Sequence, residues 1–331
     1  MDLDAYVGAR HDAWRRLEAL VGRRRLSGAE SDELLRLYTE VSTDLSTLRS
    51  VNPDPELVRY LSGLLSRARI HTAGSRTGSW SALGRFLAVT FPAALYRLRW
   101  WWISVLVLNV AFAFAVGWYA HANPEVYTSQ LTPGQIDAYV NTDFENYYSE
   151  YPHGEFATLV WTNNAWVAAQ AIAFGVLGAP VIYVLFMNMV NVGVAGALMA
   201  TYDRLDLFFG LILPHGLLEL TAIFVAGGVG LRLFWSWIEP GPMTRLQSFA
   251  REGRTAIAVA LGLVLVLLVS GLIEGFVTPS GLPTWARISI GMVAELAFFA
   301  YVFVLGRRAV RAGETGDIGV AERGDYAPVS A

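Results

Sequence analysis

The sequence lacks cysteine and lysine altogether, and charged residues make up only 16% of its 331 positions. Without cysteine, the chain can form neither a disulfide framework nor a thiolate site for zinc or an iron–sulfur cluster, and it has no cysteine nucleophile. Without lysine, it has no Schiff-base lysine and no lysine for a nucleotide phosphate loop. A formal net charge of −3 gives no indication of nucleic-acid binding.

Apolar residues take the place of the missing charge. They make up 54% of the chain, and a transmembrane helix needs roughly 20 of them in succession. Segments of suitable length are residues 100–120, 159–177, 180–200, 207–237, 257–277 and 284–305. The sequence therefore predicts an all-α polytopic membrane protein with about six transmembrane helices. The fourth segment is too long for one straight crossing and contains Pro214, so we expect that helix to be broken or kinked there.

The distribution of arginine predicts the orientation of the chain. Cytoplasmic loops of membrane proteins carry an excess of arginine, and 15 arginines precede the first predicted span. The loop 121–157 has none, and further arginines follow the fourth and sixth spans. We therefore expect a plasma-membrane protein with both termini in the cytoplasm and residues 121–157 outside.

Three segments flank the predicted bundle of residues 100–306. Residues 1–79 carry apolar stripes at helical spacing and predict a cytoplasmic domain of three helices. Residues 80–99 mix aromatic residues with arginine, which is typical of an amphipathic juxtamembrane helix on an anionic membrane surface. Residues 307–331 become polar and contain glycine after residue 311, which predicts a disordered cytoplasmic tail.

Polar side chains inside the predicted spans are costly and are therefore functional candidates. The candidate cluster consists of Asn163, Asn164, Asn191, His215, Glu219 and Glu274. His215 and Glu219 are four residues apart and share a helix face. They could form a proton relay, a cation site or a pair of metal ligands. Alternatively, His215 donates to Glu219 beside Pro214, and the asparagines only join helices by hydrogen bonds.

The loop 121–157 combines six acidic residues with several tyrosines. Thr132 followed by Pro133 predicts the start of a helix within it. Tyr139, Tyr147, Tyr148 and Tyr151 either lie at headgroup depth on an interfacial helix or form a docking surface for an extracytoplasmic partner.

Known catalytic patterns are missing from the sequence. It contains no His-Glu-x-x-His zinc motif, no serine nucleophile motif and no glycine-rich nucleotide loop. We therefore expect no enzyme activity, no cofactor and no metal.

Three stretches of the chain resemble the stage II sporulation protein M family. They are residues 178–185 leading to Asn191, residues 213–219 (LPHGLLE) and residues 271–279 (GLIEGFVTP). The arginine-rich front of the chain is similar to longer members from bacteria that do not sporulate. The resemblance implies a membrane anchor that recruits peptidoglycan-degrading partners, and it assigns no catalytic residue. Longer homologues are often encoded beside AAA+ ATPases, which implies a cytoplasmic partner of that class.

Two functions are open from the sequence. The first is a homodimeric scaffold in the bilayer that organises cell-envelope partners, namely cell-wall hydrolases or an AAA+ ATPase, without nucleic acid. The alternative is a channel or transporter for a small cation or solute, because broken helices with polar groups often form substrate sites.

Overall fold

A computed structural model describes residues 3–23, 26–51, 54–73, 79–149 and 152–318. Over these residues the regular structure is helical, and no strand occurs. The chain divides into two compact units, Met1–Ala82 and Leu83–Ala331. The predicted all-α class is confirmed.

The first unit is built from three helices, as the apolar stripes predict. They are α1 (Leu3–Val21), α2 (Gly28–Val51) and α3 (Pro55–Ala73). Leucines at helical spacing, among them Leu17, Leu37 and Leu64, form its core. Asp44 is only 2% exposed and accepts hydrogen bonds from Trp14 Nε1 and the Tyr6 hydroxyl, each at 2.9 Å.

The second unit is a helical bundle. Helix α4 (Ser79–Arg85) includes the boundary between the two units, and a π-helical turn joins it to α5 (Phe91–Arg97). The first long helix, α6 (Arg99–Ala122), leads into three short helices, α7 (Glu125–Thr128), α8 (Pro133–Ala138) and α9 (Phe144–Asn146). The remaining helices are α10 (His153–Ala173), α11 (Ala179–Thr201), α12 (Leu205–Ile238), α13 (Arg245–Leu272), α14 (Thr284–Ala300) and α15 (Arg307–Arg311).

Five helical segments of the described chain are long and apolar enough to cross a membrane. They are Arg99–Ala122, Ala179–Thr201, Leu205–Ile238, Arg245–Val277 and Thr284–Arg311. The protein is therefore a multi-pass membrane protein. The second span expected from the sequence corresponds to α10, which has 21 residues but is not among these five. Polar residues such as Thr158, Thr162 and Asn163 account for the difference.

Of the two expectations for Pro214, the break is wrong, because α12 is one continuous helix of 34 residues with Pro214 inside it; the kink stays a prediction. This helix is the centre of the bundle, and it contacts α6, α10, α11, α13 and α14. Proline removes one hydrogen bond from the helix, and neighbouring helices can compensate for that loss in a membrane bundle. Gly291 of α14 lets the two backbones approach, since a Cβ there would lie 2.2 Å from the Pro214 carbonyl oxygen.

The segment 80–99 is helical, but its second half does not lie on a surface as predicted. Phe91, Leu95 and Leu98 belong to the main core of the bundle. The Phe91 ring packs directly on Gly262 of α13. A Cβ on Gly262 would lie only 2.2 Å from an atom of the Phe91 ring. Amphipathic spacing identifies an apolar face, but it does not distinguish a membrane surface from a protein neighbour.

The start of the C-terminal tail is ordered against the bundle, in contrast to the prediction. Arg254 donates two hydrogen bonds of 2.7 and 2.8 Å to the Asp317 carboxylate. Arg85 pairs with Glu314 at 2.8 Å, and Gly316, with a φ of +73°, lies against Ala94. Residues 319–331 of the predicted tail lie outside the described residues.

Candidate functional site

Three polar side chains meet inside the bundle where α12 faces the end of α13. His215 Nδ1 is 3.2 Å from the Thr278 hydroxyl, and His215 Nε2 is 3.7 Å from Glu274 Oε1. All three residues are buried. Glu274 lies in a π-helical turn, Ile273–Val277, that continues α13. This group lies at the end of the bundle that carries residues 123–149, which we call the loop end.

Glu219 extends the group towards the middle of the bundle. The Ser270 hydroxyl is 3.1 Å from the His215 carbonyl oxygen and 3.5 Å from Glu219 Oε2, so it can donate to either. Asn164 of α10 is a second hydrogen-bonding neighbour of the Glu219 carboxylate. Four helical elements therefore contribute to one polar cluster, defined here as Asn164, His215, Glu219, Ser270, Glu274 and Thr278.

The partner of His215 differs from the one that the sequence suggests. His215 and Glu219 lie on the same side of α12, but the imidazole contacts Thr278 and Glu274 across the helix interface. Helical spacing places two residues on one face, yet side chains from the neighbouring helix can reach the imidazole more directly than a side chain one turn away.

Two predicted members of the cluster are absent from it. Asn163 and Asn191 are both exposed on the outside of the bundle. Consecutive residues of an α-helix differ by about 100° around the axis, so Asn164 can face inward while Asn163 faces outward. Only tertiary packing shows which of the two is inside.

Sequence reasoning missed Ser270 and Thr278, and it named Tyr148 only as a docking candidate in the loop, not as a neighbour of His215. Ser270, Glu274 and Thr278 are spaced by four residues, a pattern that places hydroxyl and carboxyl groups on one helical face. That spacing could have identified both hydroxyls. Tyr148 could not have been found in this way, because it comes from the loop.

A second buried carboxyl group lies in α14. Glu295 is 9% exposed and accepts a 2.7 Å hydrogen bond from the Thr221 hydroxyl. One oxygen of Glu295 and one of Glu274 are buried with no hydrogen-bond partner among the described residues. The nearby Arg287 donates to the Thr278 carbonyl and the Thr284 hydroxyl and forms no ion pair with Glu274 in the described chain.

The loop covers the cluster with aromatic side chains. Thr132 caps α8 through a reciprocal capping box with Gln135, as the Thr-Pro pattern predicts. Tyr148 is 6% exposed, and its ring centroid is 5.8 Å from that of His215. Burial raises the pKa of Tyr148 above its usual range, and the nearby Glu274 carboxylate raises it further. The Tyr148 hydroxyl therefore stays protonated.

The four tyrosines proposed for docking have different environments. Tyr148 is buried, and Tyr139 is half-buried beside Phe144. Tyr147 is 50% exposed, while its ring packs edge-on against Tyr148 and Phe156. Tyr151 lies outside the described residues. Tyr148 and Tyr139 thus help to pack the loop, whereas Tyr147 keeps half of its side chain exposed, and the docking role stays a prediction.

The loop also exposes several carboxylates. The name acidic loop surface is used below for four of these exposed acidic residues and an exposed amide that contacts one of them: Asp137, Asn141, Asp143, Glu145 and Glu155. None of its carboxylates forms an ion pair within the part of the chain that the structure describes. Asn141 donates a 2.9 Å hydrogen bond to Asp137.

Comparison with protein families accounts for most of the chain. A family model for stage II sporulation protein M matches residues 104–279, which is more than half of the sequence. The chain belongs to this family. A second model, for a domain of unknown function (DUF8413), matches residues 4–74 and thus the three-helix unit. A search of curated proteins and a search of solved structures returned no match.

The part matched to the stage II sporulation protein M family contains both features of the loop end. It begins within α6, runs through the loop and ends directly after Thr278. The polar cluster and the acidic loop surface therefore both belong to the family region. Glu295 and the docked segment 312–318 lie beyond it.

Proposed function

We propose that this stage II sporulation protein M family member is a membrane scaffold that organises cell-envelope partners. The acidic loop surface is the observation that carries the proposal. It lies on a folded base, because Phe144 stacks on Phe208 and Tyr148 packs against His215. A loop held in this way can present its charges in one arrangement, which lowers the entropic cost of binding.

The chemistry of the surface suggests the class of partner. Unpaired carboxylates attract a basic surface and accelerate its association. We propose an extracytoplasmic partner with a basic face, such as a cell-wall hydrolase. The separate unit of residues 1–82 would take a cytoplasmic partner, for which an AAA+ ATPase is our candidate. In this proposal the chain itself is not an enzyme.

The scaffold requires a defined orientation in the plasma membrane. We propose that α10 is a sixth crossing, so that both termini are cytoplasmic and the loop is outside. Support comes from packing, since α10 extends along α12 and α13. The chain has no cysteine, so single cysteines can report the topology. Asp143→Cys should react with an impermeant maleimide on intact cells, whereas Leu246→Cys should react only after permeabilisation. The reverse pattern would overturn this orientation.

Neutralising the acidic loop surface tests the scaffold. The variant Asp137→Asn, Asp143→Asn and Glu145→Gln should recover a basic cell-wall hydrolase about tenfold less well, a loss of about 1.4 kcal/mol. The measurement is affinity purification from native membranes with quantitative mass spectrometry.

A matched control changes two carboxylates elsewhere at the loop end, Asp203→Asn and Asp206→Asn. Both residues are exposed in the structure, and their replacement should leave recovery unchanged. Equal recovery by wild type and the loop variant would show that the acidic loop surface does not dock the partner.

The polar cluster favours a second candidate, transport of a proton or small cation. Glu219 and Glu274 lie inside the bundle without an arginine partner among the described residues. Buried carboxylates are costly unless a proton or a cation neutralises them. Glu274→Gln should then abolish flux in proteoliposomes, while Glu145→Gln in the loop should not. Absence of flux for the wild type under both proton and sodium gradients would reject this candidate.

A further inference from the structure

The polarity of α10 does not fit its position in the bundle. Close contacts with α13 and α12 mark its two ends: a Cβ on Gly275 would lie 2.7 Å from the His153 carbonyl oxygen, and one on Gly230 would lie 2.2 Å from that of Ala171. Between them, Trp161 Nε1 donates a 3.0 Å hydrogen bond to the Val264 carbonyl. The helix thus lies beside two membrane-spanning helices over its length, yet it is not among the helices that are apolar enough to count as candidate spans.

Several polar residues of α10 lie on its outer face, whereas Asn164 faces inward. The exposed positions from residue 158 onward recur at helical spacing: Thr158, Leu159, Thr162, Asn163, Trp166, Ala169 and Ala173. The Thr158 and Thr162 hydroxyls donate to carbonyls of their own helix. The Asn163 amide has no hydrogen bond to any other described residue. Lipid cannot supply one, because the hydrocarbon region offers neither donors nor acceptors.

The outer faces of α6 and α14 have a different composition, whereas α11 exposes an asparagine of its own, Asn191. The largest exposed side chains of α6 include Leu108, Phe114 and Trp118, and those of α14 include Val293 and Leu296. Such faces are suited to lipid. The α10 face, with its amide and small residues, has the composition of a contact between transmembrane helices.

A projection and a groove lie side by side on this face. Trp166 is 65% exposed. Next to it, a groove of about 120 Å³ runs between α10 and α13, and its lining includes Ala165, Ala169, Leu261 and Val264. A twofold interface requires one surface that fits itself. This face meets that requirement in two ways. It carries both a large side chain, Trp166, and a groove that could receive one, and the Asn163 amide can both donate and accept hydrogen bonds.

We propose that the outer face of α10 binds a second copy of this chain. The two α10 helices cross at Asn163, whose amides exchange hydrogen bonds across the twofold axis. Trp166 of each copy occupies the alanine-lined groove of the other. Because the shape and the hydrogen-bonding groups of this face complement themselves, a second copy fits it better than an unrelated helix does. The inference goes beyond the scaffold proposal, because a scaffold can dock partners as a monomer.

The absence of cysteine in the wild type makes disulfide cross-linking a direct test. Thr162→Cys, purified and reconstituted alone in liposomes, should give a disulfide-linked species of twice the chain mass on mild oxidation. Leu108→Cys is the control, because Leu108 is 68% exposed on the outer face of α6. This variant should stay monomeric.

Adding Trp166→Ala to Thr162→Cys should lower the rate of cross-linking about tenfold, as expected for loss of a central tryptophan. Thr162→Cys that remains monomeric, or Leu108→Cys that cross-links equally well, would overturn the proposal. An adduct of Thr162→Cys with a different protein in native membranes, without dimer in liposomes, would also overturn it. These outcomes are independent of partner capture by the acidic loop surface, so each proposal can fail alone.

Discussion

A buried carboxylate at the end of the bundle opposite the loop provides the most quantitative prediction. Glu252 is 2% exposed and is surrounded by three arginines. Arg97 donates to both carboxylate oxygens at 3.1 and 2.8 Å, and Arg232 and Arg251 contact Oε1 at 3.3 and 3.1 Å. Arg97 also donates to the Thr255 hydroxyl. These contacts join α5, α12 and α13.

Glu252→Gln keeps the shape of the side chain and removes its charge. Removing one partner of a fully buried ion pair costs about 3–5 kcal/mol. The arginine side chains here are 24%, 20% and 40% exposed, so solvent can partly screen them once the carboxylate is lost. We therefore expect a loss of about 2–3 kcal/mol in the free energy of unfolding. For a unit of this size, each kcal/mol lowers the melting temperature by about 2–4 °C, which gives a decrease of about 4–12 °C.

The assay is thermal unfolding in detergent, followed by tryptophan fluorescence and by size-exclusion recovery after heating. Glu239→Gln is the matched control, because Glu239 is exposed and contacts only Trp235 among the described residues. It should shift the melting temperature by about 2 °C or less, since surface changes usually stay within about 0.5 kcal/mol. Equal melting temperatures for Glu252→Gln and Glu239→Gln would refute the reasoning that burial makes this network strong.

Two further predictions concern packing. Asp44→Ala leaves the buried indole N–H of Trp14 without its acceptor and should destabilise the three-helix unit by about 1–3 kcal/mol. Urea denaturation of the fragment 1–82 measures the loss, and an unchanged midpoint would contradict this account. Gly230→Val places a side chain where even a Cβ would be 2.2 Å from the Ala171 carbonyl oxygen, so it should cost at least about 1–3 kcal/mol in the same detergent assay. Gly253→Val, in open space, is its control and should have little effect; comparable losses in both would indicate that close packing is not the cause.

Several features of the fold could be predicted because they depend on local sequence. A long run of apolar residues specifies a membrane helix wherever it lies, since the hydrophobic contribution of each residue adds to the next. The apolar stripes of residues 1–79 predicted three helices from their helical spacing alone. Thr132 caps α8 as expected, and Gln135 completes its capping box. The family resemblance, carried by three ordered stretches, was also confirmed.

Other features depended on which helices meet. The apolar residues 91–98 would suit either a membrane surface or a protein core, and contact with α13 decided for the core. The polar sequence of residues 312–318 suggested disorder, and the ion pair of Asp317 with Arg254 orders it. Pro214 was expected to interrupt α12, and packing on several sides kept the helix continuous.

The sequence by itself determined the membrane class, the positions of the long helices and the list of polar residues that such helices contain. Only the tertiary structure decided that His215 faces Glu274 instead of Glu219, and that Asn164 turns inward while Asn163 turns outward. The physical reason is that helical periodicity determines which side chains share a face of one helix. The partner of that face is chosen by contacts between residues far apart in the chain, such as those of α12 with α13 and with the loop.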